Sequence, residues 1–501
     1  MAGLEDPPFP PGDYGVVVVG SGPGGLQTAY CLARLGINHA VLSRDDGPGG
    51  MFARLPIFER LISPTRPDAP VESIDREYER YDHNSLLAEE PEAKALIPAF
   101  MDRTFDVPSR AEMHMGLQAF AERAGVQVRY GCPWQGTRQE EDGRFVLETP
   151  DGEFRCRAAV FAIGMTEPWK PPIPGIDGAP HYVETRPPRE YQGRHVVVLG
   201  KRNSGFEVAN GLLPWAREVV MISPRPVKTA SIALTPIRTR YLQPYDEYAR
   251  GFGGAYVLDA AIERVDLTDG GFRVIAQGTT RPGPLAVDAD DVVVATGFKT
   301  PLLDLPDIGV ATVKDGRIAA QTPFFESVSA PGIYFAGNVT GAATGLLKTE
   351  LAGQSTSVCG FRYNARLLAD HIAERHFGGT RERPALADDE LVPFLLREVS
   401  HAPELWVQRG YLARVVSFGA DGARDEGYQP LTHFVDASGP DAIAATTELL
   451  PDSSIAPVLY LRSGSAVSEH AFQPHPLHDY ESDEYRRELG HVLAPFARAA
   501  A

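Results

Sequence analysis

The 501-residue chain carries 66 acidic against 48 basic side chains, a formal net charge of −18, and 43% of its residues are apolar. That length exceeds one ordinary core and predicts two or three domains, while the excess of acid leaves no basic face for a nucleic-acid backbone or an anionic membrane. No apolar run approaches the ~20 residues of a membrane helix, and the acidic, proline-rich opening MAGLEDPPFPPGDYG is unlike a signal peptide, so no membrane insertion and a cytoplasmic location are expected.

The first element in chain order lies in residues 15–42, GVVVVGSGPGGLQTAYCLARLGINHAVL. A β-branched run meets glycines, then a helical apolar period, then a second strand, which makes one βαβ unit. Here Gly20 permits the tight turn, Gly22 lets the backbone approach a pyrophosphate, and Gly25 lets the helix pack on the strand. Pro23 and Gly24 complete the turn, and the helix N-terminus faces the phosphates. An acidic residue usually ends the second strand of such a unit to hold the ribose hydroxyls. That place holds Ser43, followed by Arg44 and Asp45, so either Ser43 or Asp45 is expected to substitute. Gly50 and Met51, in the GG segment that follows, are assigned to the same dinucleotide.

AAVFAIGMTEPWKPPIPG (158–175) is an apolar strand ending in Gly164 and then a proline-rich connector, where the chain can leave one domain. A second βαβ unit begins at His195: HVVVLGKRNSGFEVANGLLPWAREVVMISPRP. Two units in one chain suggest a flavin reduced by a separately bound nicotinamide. Gly200 and Gly205 take the first and third glycine positions, with Asn203 and Ser204 between them. Arg202 stands at the second, where it crowds the phosphate unless it turns outward to pair with one. The strand ends in Ser223 and Arg225 without the carboxylate that would repel a 2′-phosphate, which favours NADPH over NADH; the alternative for Arg225 is a solvated loop cation.

DVVVATGFKTP (291–301) returns the chain, with Gly297 assigned to the cofactor site, and APGIYFAGNVTG places Gly337 and Asn338 at the end of a further strand before the helical stretch STSVCGFRYNARLLADHIAERHF. The expected fold is α/β with two Rossmann-like domains: an FAD domain in two parts (1–165 and 295–379), an inserted NADPH domain (166–294), and a small α+β appendix (380–501). In the appendix GYLARVVSF, LTHFVDA and APVLYLR read as strands and YRRELGHVLAPFARA as a closing helix. The four cysteines, Cys31, Cys132, Cys156 and Cys359, form no C-x-x-C pair and read as buried small hydrophobes. The thirteen histidines show no metal-ligand spacing, and His181 reads as a loop residue.

These segments resemble the flavin-containing monooxygenase and pyridine-nucleotide oxidoreductase superfamily. Within it, GGMFARLPIFERLISPTRP, RAEMHMGLQAFAERAGVQVRYG, GKRNSGFE, RYLQPYDEYARG, CGFRYNARLLADHI, GYLARVV and PLTHFVD resemble the FAD-dependent oxidoreductase domain-containing protein 2 group and its bacterial relatives. The eukaryotic relative carries an endoplasmic-reticulum retention signal, whereas this chain ends in ARAAA, so that location and its quality-control role are not expected. The resemblance implies a terminal Asp on the returning strand, here Asn338, which keeps hydrogen bonding without the charge. It also implies an Asn beside the flavin that supports oxygen chemistry. Thr65, followed by Arg66, matches that position and cannot present an amide. Disulfide reductases with one active cysteine resemble G-x-G-P-C-G, and Gly24 stands where their cysteine would be.

The leading expectation is an NADPH-dependent flavin monooxygenase acting with molecular oxygen on a small nucleophilic or carbonyl substrate. Thr65 motivates the alternative of an NAD(P)H-dependent reductase or oxidase that never oxygenates. A flavin-binding scaffold, with Arg202 disabling the nicotinamide site, is the reading from another class. A homodimer is compatible with all three.

Overall fold

The computed structural model describes residues 7–55, 57, 60–227, 239–346, 348, 353–452 and 454–499. The chain separates into two compact units, the first built from Met1–Ala53, Ser63–Met165 and Thr300–Ala501, the second from Arg54–Ile62 and Thr166–Lys299. Three groups of elements position the site. The first is β1 (Val16–Val19), α1 (Pro23–Arg34), β2 (His39–Leu42), α2 (Arg110–Arg123) and β3 (Ala158–Phe161). The second is β4 (His195–Leu199), α3 (Asn203–Leu212), β5 (Glu218–Ser223), β6 (Ala255–Thr268) and β7 (Asp291–Val294). The third is β8 (Ile333–Phe335), α4 (Val358–Phe377), α5 (Asp388–His401), α6 (Pro403–Val407), β9 (Leu412–Gly419), α7 (Leu431–Asp436) and α8 (Asp483–Ala499).

In the first unit a four-stranded parallel sheet runs in the order β8, β3, β1, β2, with Val16 paired to both His39 and Ala158. A strand covered on both faces has no polar side, which is why VVVV reads as a continuous apolar run; Val16, Val17 and Val18 have no exposed surface. Helix α2 starts at a capping box, Ser109 accepting from the N–H of Glu112 while the Glu112 carboxylate accepts from that of Ser109.

The second unit repeats the design. Strand β4 lies between β5 and β7, all parallel, and β6 extends the sheet beyond β5. The two glycine turns are packed alike: a Cβ on Gly25 would run into the carbonyl of Gly20, and one on Gly205 into that of Gly200. Gly20 and Gly200, at φ +114° and +132°, are pressed against the carbonyls of Ala162 and Ala295 respectively. Duplication therefore extends from the motif to its steric cause.

Residues 380–501 belong to the first unit. They form an antiparallel sheet of six strands, ordered Ala385–Leu386, Gly422–Pro430, β9, Ala442–Leu449, Ile455–Ser463 and Ala466–Ala471. Helices α5 and α8 cover one face through Leu391, Leu395, Leu489 and Leu493. The segment LTHFVDA is a helix, α7, and not the strand its β-branched and aromatic residues suggest. Its apolar residues Leu431, Phe434 and Val435 follow a helical rather than an alternating period, and Leu431 and Phe434 are buried. Arg462 satisfies the end of the turn, donating Nη1–H to the carbonyls of Phe434 and Ala437 at 3.2 and 3.1 Å. Among the described residues no helix is long and apolar enough to cross a membrane.

His401, at the end of α5, ties this module to the rest of its unit, with Nδ1 3.0 Å from Glu77 and Nε2 2.7 Å from Glu481. Burial alone would lower its pKa, but the two carboxylates outweigh that and raise it above 6.5. A raised folded pKa gives stabilisation that is complete below the unfolded value and lost as pH climbs through the folded one. The melting temperature is therefore expected to fall as pH rises above about 6.5 more steeply in the native chain than in His401→Gln. Parallel pH profiles for the two proteins would remove His401 from the account.

Candidate functional site

The first glycine turn ends at α1, whose N-cap Gly22 makes no side-chain cap bond. The first N–H groups of a helix lack internal partners, and beside them nothing lies within 4 Å of a Cβ placed on Gly22. Gly50 stands over this turn, a Cβ there lying 3.0 Å from the Gly22 Cα, and Met51 is half-buried in the same short turn. Gly24 is pressed against the backbone of Gly337, so its lack of a side chain serves helix packing. Asn338 accepts the Met165 N–H through Oδ1 at 3.2 Å, just after the left-handed turn at Gly164 (φ 65°). Gly20, Gly22, Pro23, Gly24, Gly25, Gly50, Gly337 and Asn338 thus gather at the carboxyl ends of β1, β3 and β8. An uncapped helix N-terminus beside a Cβ-free approach fits the pyrophosphate of a dinucleotide.

The two substitutes for the missing acid part company. Ser43 is 2% exposed, its hydroxyl 2.8 Å from that of Ser21 and accepting the Asp45 N–H at 3.1 Å, so it is spent inside the turn. Arg44 is exposed to solvent. Asp45 keeps its Oδ2 3.9 Å from where a Cβ on Gly50 would stand, on the side of the open turn.

Behind Gly337 lies a buried polar network that no local pattern announces. The Thr340 hydroxyl donates to the carbonyls of Gly337 at 2.7 Å and Ser355 at 3.1 Å, and receives Asn364 Nδ2–H at 3.0 Å. Gln408, at the end of α6 and fully buried, completes it. Its Nε2 donates to Asn364 Oδ1 at 2.6 Å, Ser355 Oγ at 3.1 Å and the Gly360 carbonyl at 3.2 Å, while its Oε1 accepts the Gln354 N–H at 2.6 Å. The C-terminal module thereby holds the Gly337 turn and the start of α4 in one arrangement.

Thr65 and Arg66 are not brought together. Thr65 has no exposed surface; its hydroxyl donates to Asp82 Oδ1 at 2.9 Å and accepts from Asn84 Nδ2 at 2.9 Å. The same Asp82 oxygen takes the N–H groups of Asn84 and Ser85, both at 3.1 Å. Arg66 is exposed, its guanidinium 6.0 Å from the Tyr81 ring centre. An amide does lie beside Thr65, but it comes from Asn84.

At the second turn Arg202 is the N-cap of α3, exposed and making no cap bond. Asn203 has a buried Oδ1 without a hydrogen-bond partner, and Ser204 is half-buried. The uncapped N–H groups suit a phosphate, while the orphaned Asn203 Oδ1 is an acceptor that suits a hydroxyl or amide donor. Lys201, unremarked in the sequence, is buried and donates to the Leu258 carbonyl at 2.8 Å and to Asp259. Asp259 pairs in register with Ser223, so a carboxylate does stand at this strand end, one strand over. Burial would raise its pKa, but Lys201 and Thr280 together hold it below 3.8, and both its oxygens are engaged. Arg225 is exposed. The Gly297 carbonyl accepts from Trp169 N–H and faces His181 Nε2, each at 3.0 Å, which ties this turn to the 169–181 connector.

The pyridine nucleotide-disulphide oxidoreductase family model matches residues 17–337. The chain is 31% identical over 220 residues to FAD-dependent oxidoreductase domain-containing protein 2 of Danio rerio, a match covering 42% of this chain and 31% of the relative, so less than a third of that protein is represented. It is 28% identical to the indole-3-pyruvate monooxygenase YUCCA1 of Oryza sativa subsp. japonica, over 47% of this chain and 56% of the other. A flavin-containing monooxygenase from Stenotrophomonas maltophilia superposes with TM-score 0.53 at 20% identity over 72% of this chain and 98% of that one, which shows a shared fold.

Proposed function

The chain belongs to the pyridine nucleotide-disulphide oxidoreductase family and is an FAD-dependent, NADPH-linked oxidoreductase, and from that premise we propose that it is a monooxygenase acting on a small organic substrate. Bound FAD supplies the two-electron redox chemistry, and NADPH supplies the electrons. The N-terminus of α1 and Gly22 would hold the FAD pyrophosphate, and Asp45 would serve the ribose hydroxyls. The N-terminus of α3, with Asn203 and Ser204, would hold the NADPH phosphates.

The observation that carries the reading is the state of the thiols. All four cysteines are buried, and burial pushes the Cys31 thiol up to about 11, raises that of Cys132, and pushes that of Cys156 up to about 12. Protonated at neutral pH, Cys31, Cys132 and Cys156 are poor nucleophiles, so these three thiols supply no activated member for a dithiol relay. Electrons then leave to a diffusible acceptor, and the similarity to an indole-3-pyruvate monooxygenase supports oxygen as that acceptor. Incubation with NADPH, labelled dioxygen and a panel of small amines, sulfides and ketones should place label in one organic product. Hydrogen peroxide equal to the NADPH consumed, whatever is offered, would favour the second reading of a reductase or oxidase. The engagement of the Thr65 hydroxyl by Asp82 and Asn84 is the observation on that side.

Arg225 is assigned to the 2′-phosphate, with Asp259 neutralised by Lys201 so that no free carboxylate opposes it. Losing one charge-assisted contact costs about 1.5 to 3 kcal/mol, and the exposed setting favours the lower end, about ten-fold. Arg225→Ala should therefore narrow the preference for NADPH over NADH about ten-fold in anaerobic flavin reduction. An unchanged preference would move the selectivity elsewhere.

A further inference from the structure

Two half-buried arginines of the first unit stand beside one tryptophan without an acid partner. Arg80 donates Nη1–H to the Ser400 carbonyl at 2.6 Å and lies 4.2 Å over the Trp406 ring. Arg409 donates Nη1–H to the Trp406 carbonyl at 2.7 Å. Two imidazoles join them: His478 lies 4.6 Å from the Trp406 ring, and His83 Nε2 is 3.1 Å from the Arg80 carbonyl. Among the described residues no carboxylate forms an ion pair with either arginine. Glu77, which faces Arg80, is engaged by His401, and so is Glu481.

This is an expensive arrangement in a chain of net charge −18. Acid is plentiful, and neighbouring arginines use it: Arg76 meets Glu398 and Glu404, and Arg414 meets Asp425. Burial lowers the pKa of both Arg80 and Arg409, and for Arg409 the nearby Arg80 lowers it further. Burial also depresses both imidazoles, His83 to about 4 with Arg362 adding to the effect, and His478 with Arg80 and Arg409 adding. Half-buried cations with no carboxylate in ion-pair contact lose solvation that a bound anion can restore. Each guanidinium has five N–H donors in a planar fork suited to two oxygens of one acid, and here the protein takes one donor from each.

We propose that Arg80 and Arg409, with His83 and His478, form an oxyanion-binding site that takes the carboxylate or phosphate group of a small molecule. The site adjoins the segment leading into α4, since the Arg409 carbonyl accepts the Gly353 N–H at 3.0 Å. It stands whether or not the flavin oxygenates.

The test uses the full FAD-loaded chain, titrated with inorganic phosphate or sodium benzoate against sodium chloride at equal ionic strength and followed by thermal melting. A saturable rise in melting temperature with benzoate alone assigns a carboxylate ligand, and with phosphate alone a phosphate ligand. Arg409→Met should weaken the response at least ten-fold. Arg409→Lys, a second variant that keeps the charge and loses the fork, should weaken it several-fold and serves if the first does not fold. No saturable shift in the native chain overturns the proposal. So does a shift retained at native strength in either folded variant, because the anion would then be sitting in a dinucleotide phosphate site.

Discussion

Gly22→Glu is expected to yield a folded, colourless protein. Nothing lies within 4 Å of the added Cβ, and Gly22 is the N-cap of α1, a position where a carboxylate suits the helix dipole. The new charge occupies the space through which the FAD pyrophosphate approaches. Two like charges about 4 Å apart at an effective dielectric near 20 repel by about 4 kcal/mol, or several hundred-fold in affinity, before steric exclusion is counted. Flavin absorbance of the purified variant and its melting temperature, compared with FAD-stripped native chain, give the check. A yellow variant would place the pyrophosphate elsewhere and undo the assignment of the first site.

Gln408→Leu should cost nearly as much through a residue that need not touch the cofactor. The substitution leaves the Gln354 N–H and the buried Asn364 Oδ1 without their partner. At about 1 to 3 kcal/mol for each unsatisfied group the loss is several kcal/mol, a large part of a typical stability of about 5 to 15 kcal/mol. Because Asn364 also holds Thr340, and Thr340 the Gly337 carbonyl, FAD affinity should fall together with the melting temperature. Gln408→Glu retains an acceptor for the Gln354 N–H but turns an oxygen toward Asn364 Oδ1 and the Gly360 carbonyl, so it should not rescue. Fluorimetric titration of folded apoprotein separates the roles: native FAD affinity in a destabilised Gln408→Leu variant would confine Gln408 to packing.

The βαβ units were readable because their requirements are local. Gly25 must lie against the carbonyl of Gly20 five residues earlier, and a strand buried on both faces must be apolar throughout, so spacing and composition within about thirty residues suffice. The same holds for the second unit, where Gly200 and Gly205 repeat the contact. What a side chain does once the turn exists depends on partners that spacing does not specify. Ser43 is taken by Ser21, Thr65 by Asp82 and Asn84, and Lys201 by Asp259. LTHFVDA has the residues of a strand and becomes α7, because Leu431 and Phe434 find a core and Arg462 closes the helix end. Gln408 carries no motif at all, and only the packing of the C-terminal module against α4 delivers its amide to Asn364. The sequence by itself therefore determined the backbone path of both dinucleotide folds, since steric limits on the chain act between near neighbours; the tertiary structure decided which polar groups are spent internally and which remain for a ligand, since each buried donor or acceptor bonds whatever distant partner the fold sets beside it.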